Sequence, residues 1–552
     1  MSDQNISGSA MKRRQFMRLA AATVSTGGLG ACGGGGASPA PPASSPSPSP
    51  APTASAIPSA SPSPTPLSTA SAAPAGVAST LTIAQTQAPN TALLSASFAS
   101  LSYEKNHIDT SPGVYFGPAN ANLIGLFNAL GGGTLRIGAN SVDRTTWTPA
   151  GAGQTSAQVA PKDVTNFAGL IKLCPNWNVI YGVNFASGSG STGSPALAAQ
   201  EATVVAAQLG TQLLAFEIGN EPDIYGDDDT PGLAGITYAI FLNGGTVEEG
   251  TIPGWKQFQA AMATAVPGAP FSGPAAADDS AGWAEEFAAS EQGVISLLTE
   301  HYYISNYNSA APSIAGMLTY PDPHFVAELE SLQTAAQTHG VPFRIDECNS
   351  YFGSTHPSGV ANVFAAALWA IDFIFTAAQH GAAGLNFHGG GAVSGYTPIG
   401  DDGAGNVTAV QPLFYALYLF TRMFAGGASG QLLNASLSAT GVAVSAYAVK
   451  VGSSTYVVVN NKDTTNATNI TIHVGTAATQ AVVTVLASTG ATPSAQLANL
   501  GIYNGGTAIT YGGAAIELNG AWDGTPQQTL TVTAQTVTVN VAAANAALIK
   551  IT

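Results

Sequence analysis

Two glutamates stand where this sequence predicts the ends of β-strands. Glu221 closes the segment Phe216-Glu217-Ile218-Gly219-Asn220-Glu221, and Glu347 lies near the end of Arg344-Ile345-Asp346-Glu347-Cys348-Asn349. Hydrolysis of a glycosidic bond needs one carboxyl group to protonate the leaving oxygen and another to attack or stabilise the anomeric carbon. The pair therefore predicts a glycosidase site, with Glu221 as general acid/base and Glu347 as nucleophile.

The residues around the two glutamates refine this assignment. Side chains alternate along a strand, so we expect Asp346 to point away from the side that Glu347 occupies, which favours Glu347 as the nucleophile. Glu217 precedes Glu221 by four residues and should lie deeper in the fold. There we expect an ion pair with Arg136, because an unpaired buried charge is costly.

Short apolar segments alternate with helical or loop segments through the middle of the chain, which predicts a βα repeat. Several of these segments end in polar or aromatic residues, as expected where parallel strands deliver side chains to the active-site face of a barrel. No Gly-rich phosphate loop favours a doubly wound sheet. The fold class is therefore α/β, a (β/α)8 TIM barrel. Its eight candidate strands are Leu94–Glu104, Gly133–Ala139, Trp177–Phe185, Leu213–Glu221, Pro270–Ala276, Leu297–Tyr303, Val341–Asn349 and Gly381–His388.

The composition changes near residue 426, and the chain becomes rich in Thr, Val, Ala, Asn and Gly with alternating runs. This pattern predicts a C-terminal antiparallel β-sandwich domain over residues 427–552. The catalytic barrel is assigned to residues 79–426. Its first β-like run, 80–85, precedes the barrel strands and is a candidate extra strand of the β-domain.

The N-terminus carries signals for export. Residues 1–32 read as a twin-arginine signal ending in Leu29-Gly30-Ala31-Cys32, which resembles a bacterial lipobox. Residues 33–78 are rich in Pro, Ser and Ala, and such a segment cannot bury enough surface to fold. We expect a periplasmic or cell-surface lipoprotein tethered by a lipid on Cys32. The alternative is an ordinary secretory signal with a chance Cys.

Charge and cysteine content exclude several kinds of partner. The net charge is −16, so nucleic acid is not an expected partner. Cys174 and Cys348 allow one disulfide without predicting it, and they are too few for a structural zinc site. His301 and His388 lack a metal-binding companion in sequence, so hydrogen-bonding roles at the pocket wall are favoured. We expect no metal, no organic cofactor and no protein partner.

The motifs also resemble a known group. Asn220-Glu221-Pro222 at the fourth strand, with Glu347 at the seventh, is similar to clan A glycoside hydrolases. Further segments resemble family 79, the β-glucuronidase and heparanase family: Leu101–Glu104, Leu135–Ser141, Glu217–Asp223, Asp346–Ser350 and Tyr351–Gly353. The resemblance implies a retaining exo-β-glucuronidase that works through a covalent glycosyl-enzyme.

The resemblance also implies substrate-binding residues. In that family tyrosine hydroxyls and a backbone amide hold the sugar carboxylate, and the matching residues are Tyr351, Tyr396 and Gly353. Glu104 and Asn220 match the residues that contact sugar hydroxyls. Tyr302 matches the Tyr that hydrogen-bonds the nucleophile. The sequence departs from the family pattern at Ala139, where a Gly is common. Three alternatives stay open: a clan A glycosidase for a neutral sugar (glucoside, xyloside or arabinoside), an endo-acting heparanase-like enzyme, and a non-catalytic carbohydrate-binding surface protein.

Overall fold

The computed structural model describes residues 75–109, 114–186, 193–225, 233–248, 250–307, 311–352, 358–391, 395–500 and 508–552. The export signal with Cys32, nearly all of the predicted linker, and Gly353 lie outside these ranges. Among the helices in the described ranges, none has the length and apolar character needed to cross a lipid bilayer.

Eight parallel strands close into a barrel at the centre of the molecule. Each is paired with its neighbours in chain order, and the eighth pairs with the first. The interior is filled by buried side chains, as expected for a barrel of this size. The strands are β1 (Ala99–Glu104), β2 (Gly133–Gly138), β3 (Trp177–Val183), β4 (Leu213–Ile218), β5 (Phe271–Ala276), β6 (Leu297–Tyr303), β7 (Phe343–Asn349) and β8 (Leu385–Gly389).

A helix follows each strand, and local sequence sets many of the helix ends. Asn120 and Ser194 cap two helix N-termini through their side chains, and a left-handed Gly340 ends a third. The helices are α1 (Ala121–Leu130), α2 (Pro161–Lys172), α3 (Pro195–Leu209), α4 (Trp255–Ala265), α5 (Trp283–Ser290), α6 (Pro323–His339), α7 (Phe364–Gln379) and α8 (Pro412–Thr421).

Short elements decorate the loops. The short helices are Lys105–His107, Val142–Arg144, Gly210–Gln212, Pro222–Ile224, Tyr238–Asn243, Asp279–Ala281, Ile304–Tyr307, Ile314–Met317, Arg422–Phe424 and Pro493–Leu497. The short strands are Leu93–Leu94, Thr146–Trp147, Gln158–Val159, Gly245–Val247, Gly250–Ile252, Ile399–Asp401 and Val407–Val410.

A second domain of mostly antiparallel strands follows α8. The N-terminal strand Val77–Gln87 joins it, pairing antiparallel with β9 and parallel with β12. Apolar side chains of these strands pack into a core that is separate from the core of the barrel. The predicted barrel with an appended antiparallel β-domain is therefore confirmed. The strands are β9 (Gly430–Ala439), β10 (Val444–Val451), β11 (Ser454–Asn461), β12 (Thr468–His473), β13 (Gln480–Ser488), β14 (Ile509–Tyr511), β15 (Gln528–Thr531), β16 (Thr536–Val541) and β17 (Asn545–Ile551).

The two domains meet at α7 and α8, which are buried along nearly their whole length. Asp372 of α7 forms an ion pair with Lys462 of the β-domain. The same carboxylate accepts hydrogen bonds from Tyr447 at 2.9 Å and Asn460 at 3.0 Å. The β-domain thus supplies the polar partners that a charge buried on this barrel helix requires.

Candidate active site

Glu221 lies just beyond β4, at the C-terminal face of the barrel, in a backbone conformation that is rare for a residue with a side chain. Its φ is +51°, in the left-handed region. Its N–H donates to the Ala275 carbonyl oxygen of β5 at 2.8 Å, and its side chain is only 2% exposed. Such strained residues are held by their surroundings and cluster at functional sites.

His301 of β6 contacts this carboxyl group directly. Its Nδ1 lies 3.0 Å from Glu221 Oε1, and the imidazole is fully buried. Its other ring nitrogen lies 3.6 Å from Asp346 Oδ1. The imidazole therefore fixes the orientation of the Glu221 side chain, in agreement with a hydrogen-bonding role at the pocket wall.

Glu347 of β7 is surrounded by groups that favour its charged form. Arg136 Nη1 donates to its Oε2 at 2.7 Å, and the Tyr303 hydroxyl donates to its Oε1 at 2.8 Å. Burial raises the pKa of this carboxyl group, but electrostatic interactions with His388, His301 and Arg136, together with the Tyr303 hydrogen bond, lower it well below its ordinary range. Glu347 is thus held as a carboxylate, the form that a nucleophile requires.

Arg136 of β2 is the buried cation that connects the site. Its Nε donates to both carboxylate oxygens of Glu217, at 3.0 and 2.9 Å, so the predicted ion pair is present. Its Nη2 donates to Asn220 Oδ1 at 2.8 Å. One guanidinium therefore links β2, β4 and β7 and fixes Glu347 relative to Asn220, the residue before Glu221.

The orientation predicted for Asp346 is wrong. Its carboxylate lies inside the barrel, 3.3 Å from Arg136 Nε, on the same side as Glu347. The cause is a β-bulge: Glu300 pairs with Ile345 and the next residue, His301, pairs with Glu347, so Asp346 has no partner in β6. Burial first, and then nearby Glu217, raise the pKa of Asp346 well above its ordinary value.

The role predicted for Tyr302 is also wrong. Its hydroxyl donates to Asp322 Oδ2 at 2.5 Å, and its ring packs on Phe325 and Phe373 among the surrounding helices. The contact with Glu347 is made instead by the next residue, Tyr303. Strand alternation explains the difference, because Tyr303 shares its side of β6 with the inward-facing His301.

The two carboxyl groups lie close together. One oxygen of Glu221, one ring nitrogen of His301 and one oxygen of Glu347 all lie within 4.8 Å of one another. Such a triad has donor atoms suited to a divalent cation. Arg136 already places a positive charge 2.7 Å from Glu347 Oε2, so a second cation there would be repelled. The arrangement is better suited to a pair of reacting carboxyl groups.

Two of the other predicted substrate-binding residues line a cleft beside the carboxyl pair, and the others that the structure describes do not. Glu104 lines a cleft beside the pair and accepts from Ser141 N–H at 2.7 Å. Asn220 precedes Glu221 and shares the Arg136 guanidinium with Glu347. Tyr396 lines the same cleft, its ring centroid 6.1 Å from that of Tyr303. Tyr351 is buried and donates to the Ser313 carbonyl oxygen at 3.3 Å.

Sequence reasoning missed three functional contacts: those of Tyr303 and Arg136 with Glu347, and that of His301 with Glu221. Each side chain comes from a strand already predicted to end at the site. Alternate residues of a strand face the same side, so the sequence could have shown that these side chains point inward. That prediction required knowing one inward-facing residue on each strand. In the described part of the chain Cys174 and Cys348 are free and buried, and the pKa of the Cys348 thiol is raised by burial and by the neighbouring Glu347.

The cleft beside the pair has a volume of about 760 Å³. Its walls come from the loops after β1, β2 and β8. His388 of β8 lines the cleft and also lies next to Glu347, its Nδ1 3.9 Å from Glu347 Oε2. The inner end of the cleft is therefore next to the carboxyl pair.

A barrel with this β-domain occurs in solved glycoside hydrolases. A 4-O-α-L-rhamnosyl-β-D-glucuronidase from Fusarium oxysporum is 18% identical with a TM-score of 0.63, covering 85% of this chain and 99% of that chain. A family 51 arabinofuranosidase from Xanthomonas axonopodis pv. citri is 14% identical with a TM-score of 0.59, covering 86% and 100%. A family 44 endoglucanase from Clostridium thermocellum is 13% identical with a TM-score of 0.55, covering 86% and 100%.

No model of a known protein family and no curated protein sequence matches the chain. At these identities the likeness to the solved structures establishes the shared fold. The chain thus shares the barrel and appended β-domain of these solved structures and has a close pair of carboxyl groups at the C-terminal face of the barrel.

Proposed function

We propose that the chain is a retaining glycoside hydrolase with Glu221 as general acid/base and Glu347 as nucleophile. The observation that carries this proposal is the carboxyl spacing, in which one oxygen of each group lies within 4.8 Å of the other. Retaining enzymes place these groups roughly 5–5.5 Å apart, whereas inverting enzymes leave about 6.5–9.5 Å for a water molecule. The spacing therefore favours the covalent route.

The environment of each carboxyl group fits its role. Glu221 donates a proton to the glycosidic oxygen as the bond from that oxygen to the anomeric carbon breaks, and Glu347 forms an ester with that carbon. Glu221 then takes a proton from water, whose oxygen attacks the same carbon and releases Glu347. Arg136 and Tyr303 stabilise the Glu347 carboxylate before attack and when it leaves again.

We further propose that the substrate is a terminal β-glucuronide. Support comes from the sequence resemblance to family 79 and from the Fusarium neighbour, which is described as a rhamnosyl-glucuronidase. Tyr396 lines the cleft, and its hydroxyl, which also hydrogen-bonds Tyr303, is a candidate to bind the sugar carboxylate. Tyr351 gives less support because it is not among the described residues that line the cleft, and its hydroxyl donates to the Ser313 carbonyl oxygen.

A second candidate is a glycosidase for a neutral sugar. The cleft walls carry the carboxyl groups of Glu104, Asp109 and Asp401, and a sugar carboxylate beside them would be repelled. Solved neighbours described as acting on arabinofuranosides share the fold. This candidate keeps the catalytic pair and changes only the sugar that is recognised.

One experiment separates these outcomes. The protein from residue 75 onward is incubated with p-nitrophenyl β-D-glucuronide, β-D-glucoside, β-D-xyloside and α-L-arabinofuranoside, and the first product is followed by proton NMR. For the glucuronide we expect faster hydrolysis and a β-configured product that later mutarotates. Preference for a neutral glycoside would overturn the substrate proposal, and an initial α-product from a β-glycoside would overturn the retaining mechanism.

The cellular location is a separate proposal. We propose that the protein is exported and anchored by a lipid on Cys32, on the basis of the twin-arginine and lipobox-like sequences. The test is incorporation of labelled palmitate by the full chain and by the Cys32→Ala variant. We expect label and membrane association only with Cys32 present. Equal membrane association of both proteins would contradict the proposal.

A further inference from the structure

The turn that carries Glu221 has a strained backbone. Gly219 has φ of +81° and Glu221 has φ of +51°, both in the left-handed region. Gly219 is required there for a second reason, because a Cβ on it would collide with the Tyr225 hydroxyl oxygen. A strained conformation persists only where surrounding groups hold it. The groups that hold this turn therefore determine where the Glu221 carboxyl group lies.

Asp143 contacts this turn on both sides of Glu221. It lies in the short helix Val142–Arg144 after β2, and its side chain is buried, with the residue only 3% exposed. Its Oδ2 accepts from Asn220 N–H at 3.1 Å and from the Tyr225 hydroxyl at 2.7 Å. Asn220 precedes Glu221 directly and Tyr225 follows it by four residues. One oxygen of Asp143 thus fixes both ends of the segment that contains Glu221.

The other oxygen of Asp143 binds the loop after β3. Its Oδ1 accepts from Phe185 N–H at 2.9 Å and from Ala186 N–H at 3.3 Å. The Phe185 ring also stacks on the Tyr225 ring, with the centroids 5.9 Å apart. Since β2, β3 and β4 are consecutive in the barrel, one carboxylate connects the loops that follow three neighbouring strands. The turn after β4 is therefore held relative to both of its neighbours.

The contacts of Asp143 fit an ionised carboxylate. Four donors face its two oxygens, and a carboxylate accepts hydrogen bonds without donating any. Burial raises the pKa of Asp143, and the Tyr225 and backbone hydrogen bonds oppose that rise. An Asn at this position would be nearly the same size, but its N–H₂ group would face two donors. Two of the four hydrogen bonds would then be lost without a large change in packing.

From these contacts we propose that Asp143 is a positioning residue for acid catalysis, which acts through the backbone of Asn220 and the Tyr225 hydroxyl to place Glu221 at the glycosidic oxygen. A displacement of about 1 Å can cost a factor of about a hundred in rate. Asp143 itself contacts no substrate in this proposal. The inference rests on the proposed glycosidase function and adds a residue to it.

The test uses the leaving group to separate acid catalysis from a general loss of activity. For the full-length protein, kcat/KM is measured with a p-nitrophenyl glycoside, whose leaving group needs little protonation, and with a methyl glycoside of the same sugar, whose leaving group needs a proton. The sugar is β-D-glucuronic acid, or the neutral sugar if the panel above shows that one is preferred. Asp143→Asn should lower kcat/KM about a hundredfold for the methyl glycoside and less than about tenfold for the p-nitrophenyl glycoside. The ratio of methyl to p-nitrophenyl kcat/KM should therefore fall at least about tenfold.

A milder variant keeps the test decisive if Asp143→Asn fails to fold. Tyr225→Phe removes one of the four donors to Asp143 and keeps the ring that stacks on Phe185. The same ratio should fall by a smaller factor, at least about threefold, as expected for one hydrogen bond to a charged group. Thermal melting shows which variants are folded.

Asp163→Asn is the matched control. Asp163 is also buried, at 1% exposed, and it accepts from Gln154 N–H at 2.8 Å and from Ala160 N–H at 2.9 Å. These contacts hold the loop before α2 and not the turn that carries Glu221. The substitution should lower the unfolding midpoint and leave the ratio of methyl to p-nitrophenyl kcat/KM as in the unmodified protein.

The outcomes separate the two proposals. An unchanged ratio in folded Asp143→Asn or Tyr225→Phe, beside a large fall in Glu221→Gln, overturns the positioning role and leaves the glycosidase proposal standing. An equal fall in Asp163→Asn also overturns it, because the effect would then follow from any buried Asp. An unchanged ratio in Glu221→Gln, or no hydrolysis of any glycoside by the unmodified protein, overturns the proposed function itself.

Discussion

Tyr302 and Tyr303 are adjacent in β6, yet their hydroxyl groups serve opposite sides of the barrel wall. Tyr302 donates to Asp322 among the helices at 2.5 Å, and Tyr303 donates to Glu347 in the interior at 2.8 Å. Tyr303→Phe should lower kcat/KM by about ten- to a hundredfold, because it removes a hydrogen bond to a charged group. Tyr302→Phe is the matched control and should lower the unfolding midpoint with kcat/KM nearly unchanged. Equal losses of activity in both would contradict this assignment.

Neighbouring carboxyl groups of β7 should differ sharply in importance. Glu347→Gln should lower kcat at least about 1,000-fold, since the covalent step loses its nucleophile. Asp346→Asn replaces a carboxyl group whose pKa is raised by burial and by Glu217. The amide resembles the protonated form that these surroundings favour, so the loss should be less than tenfold. Steady-state kinetics on one chromogenic glycoside measures both. A larger loss for Asp346→Asn would reverse the assignment of the nucleophile.

The contact of His301 with Glu221 should matter most when the leaving group needs a proton. His301→Gln should lower kcat/KM about a hundredfold for an alkyl glycoside, a value within the usual range for acid catalysis. For a nitrophenyl glycoside, whose leaving group needs little protonation, the loss should be much smaller. Incubation with EDTA should leave activity intact. Loss of activity in EDTA with recovery in a divalent cation would instead make these side chains metal ligands.

The lowered pKa of Glu347 predicts the acid side of the pH profile. Only the ionised carboxylate attacks, so kcat/KM should fall only below the ordinary glutamate range, which is around pH 4.5. In Tyr303→Phe the fall should occur at higher pH, because a hydrogen bond to the charged form is lost. The stability that this group contributes is present above its unfolded pKa and is lost as the pH falls through the lower folded pKa. Rate profiles and urea midpoints measured between pH 3 and pH 7 test both expectations.

Ala139, at the end of β2, has φ of +57° in the left-handed region. This conformation accounts for the Gly that the family pattern favours there, because a Cβ is strained in it. Ala139→Gly should therefore stabilise the protein by up to about 1 kcal/mol, with kinetics unchanged. A fall in the urea unfolding midpoint would show that surrounding contacts of the Ala methyl group outweigh the strain.

The fold and the closeness of Glu221 and Glu347 were predictable from the sequence because each depends on local patterns. Eight apolar segments, several of them ending in polar or aromatic residues, predicted the strands, and two of those ends carried Glu221 and Glu347. The expected partner of Arg136 followed from the cost of burying Glu217 alone.

The orientations that failed depend on pairing between strands. Alternation predicts the direction of Asp346 only if β7 is regular, and the bulge against β6 removes that regularity. Tyr302 and Tyr303 are chemically equivalent in a sequence, and only the inward position of His301 decides between them. Tyr351 fits the family motif by spacing, but the direction of its hydroxyl is set by Ser313, 38 residues earlier in the chain.

The N-terminal strand imposes an order on synthesis. Val77–Gln87 leaves the ribosome before any of the barrel, but its partners β9 and β12 are made only after the whole barrel. Ser79 meets Thr468 at 2.6 Å across 389 residues of chain. Until those partners emerge, Leu81 and Ile83 have no β-domain core to enter. The nascent strand therefore stays unpaired while the whole barrel is translated. A protein without this strand would lack the element that lies between β9 and β12 in the sheet.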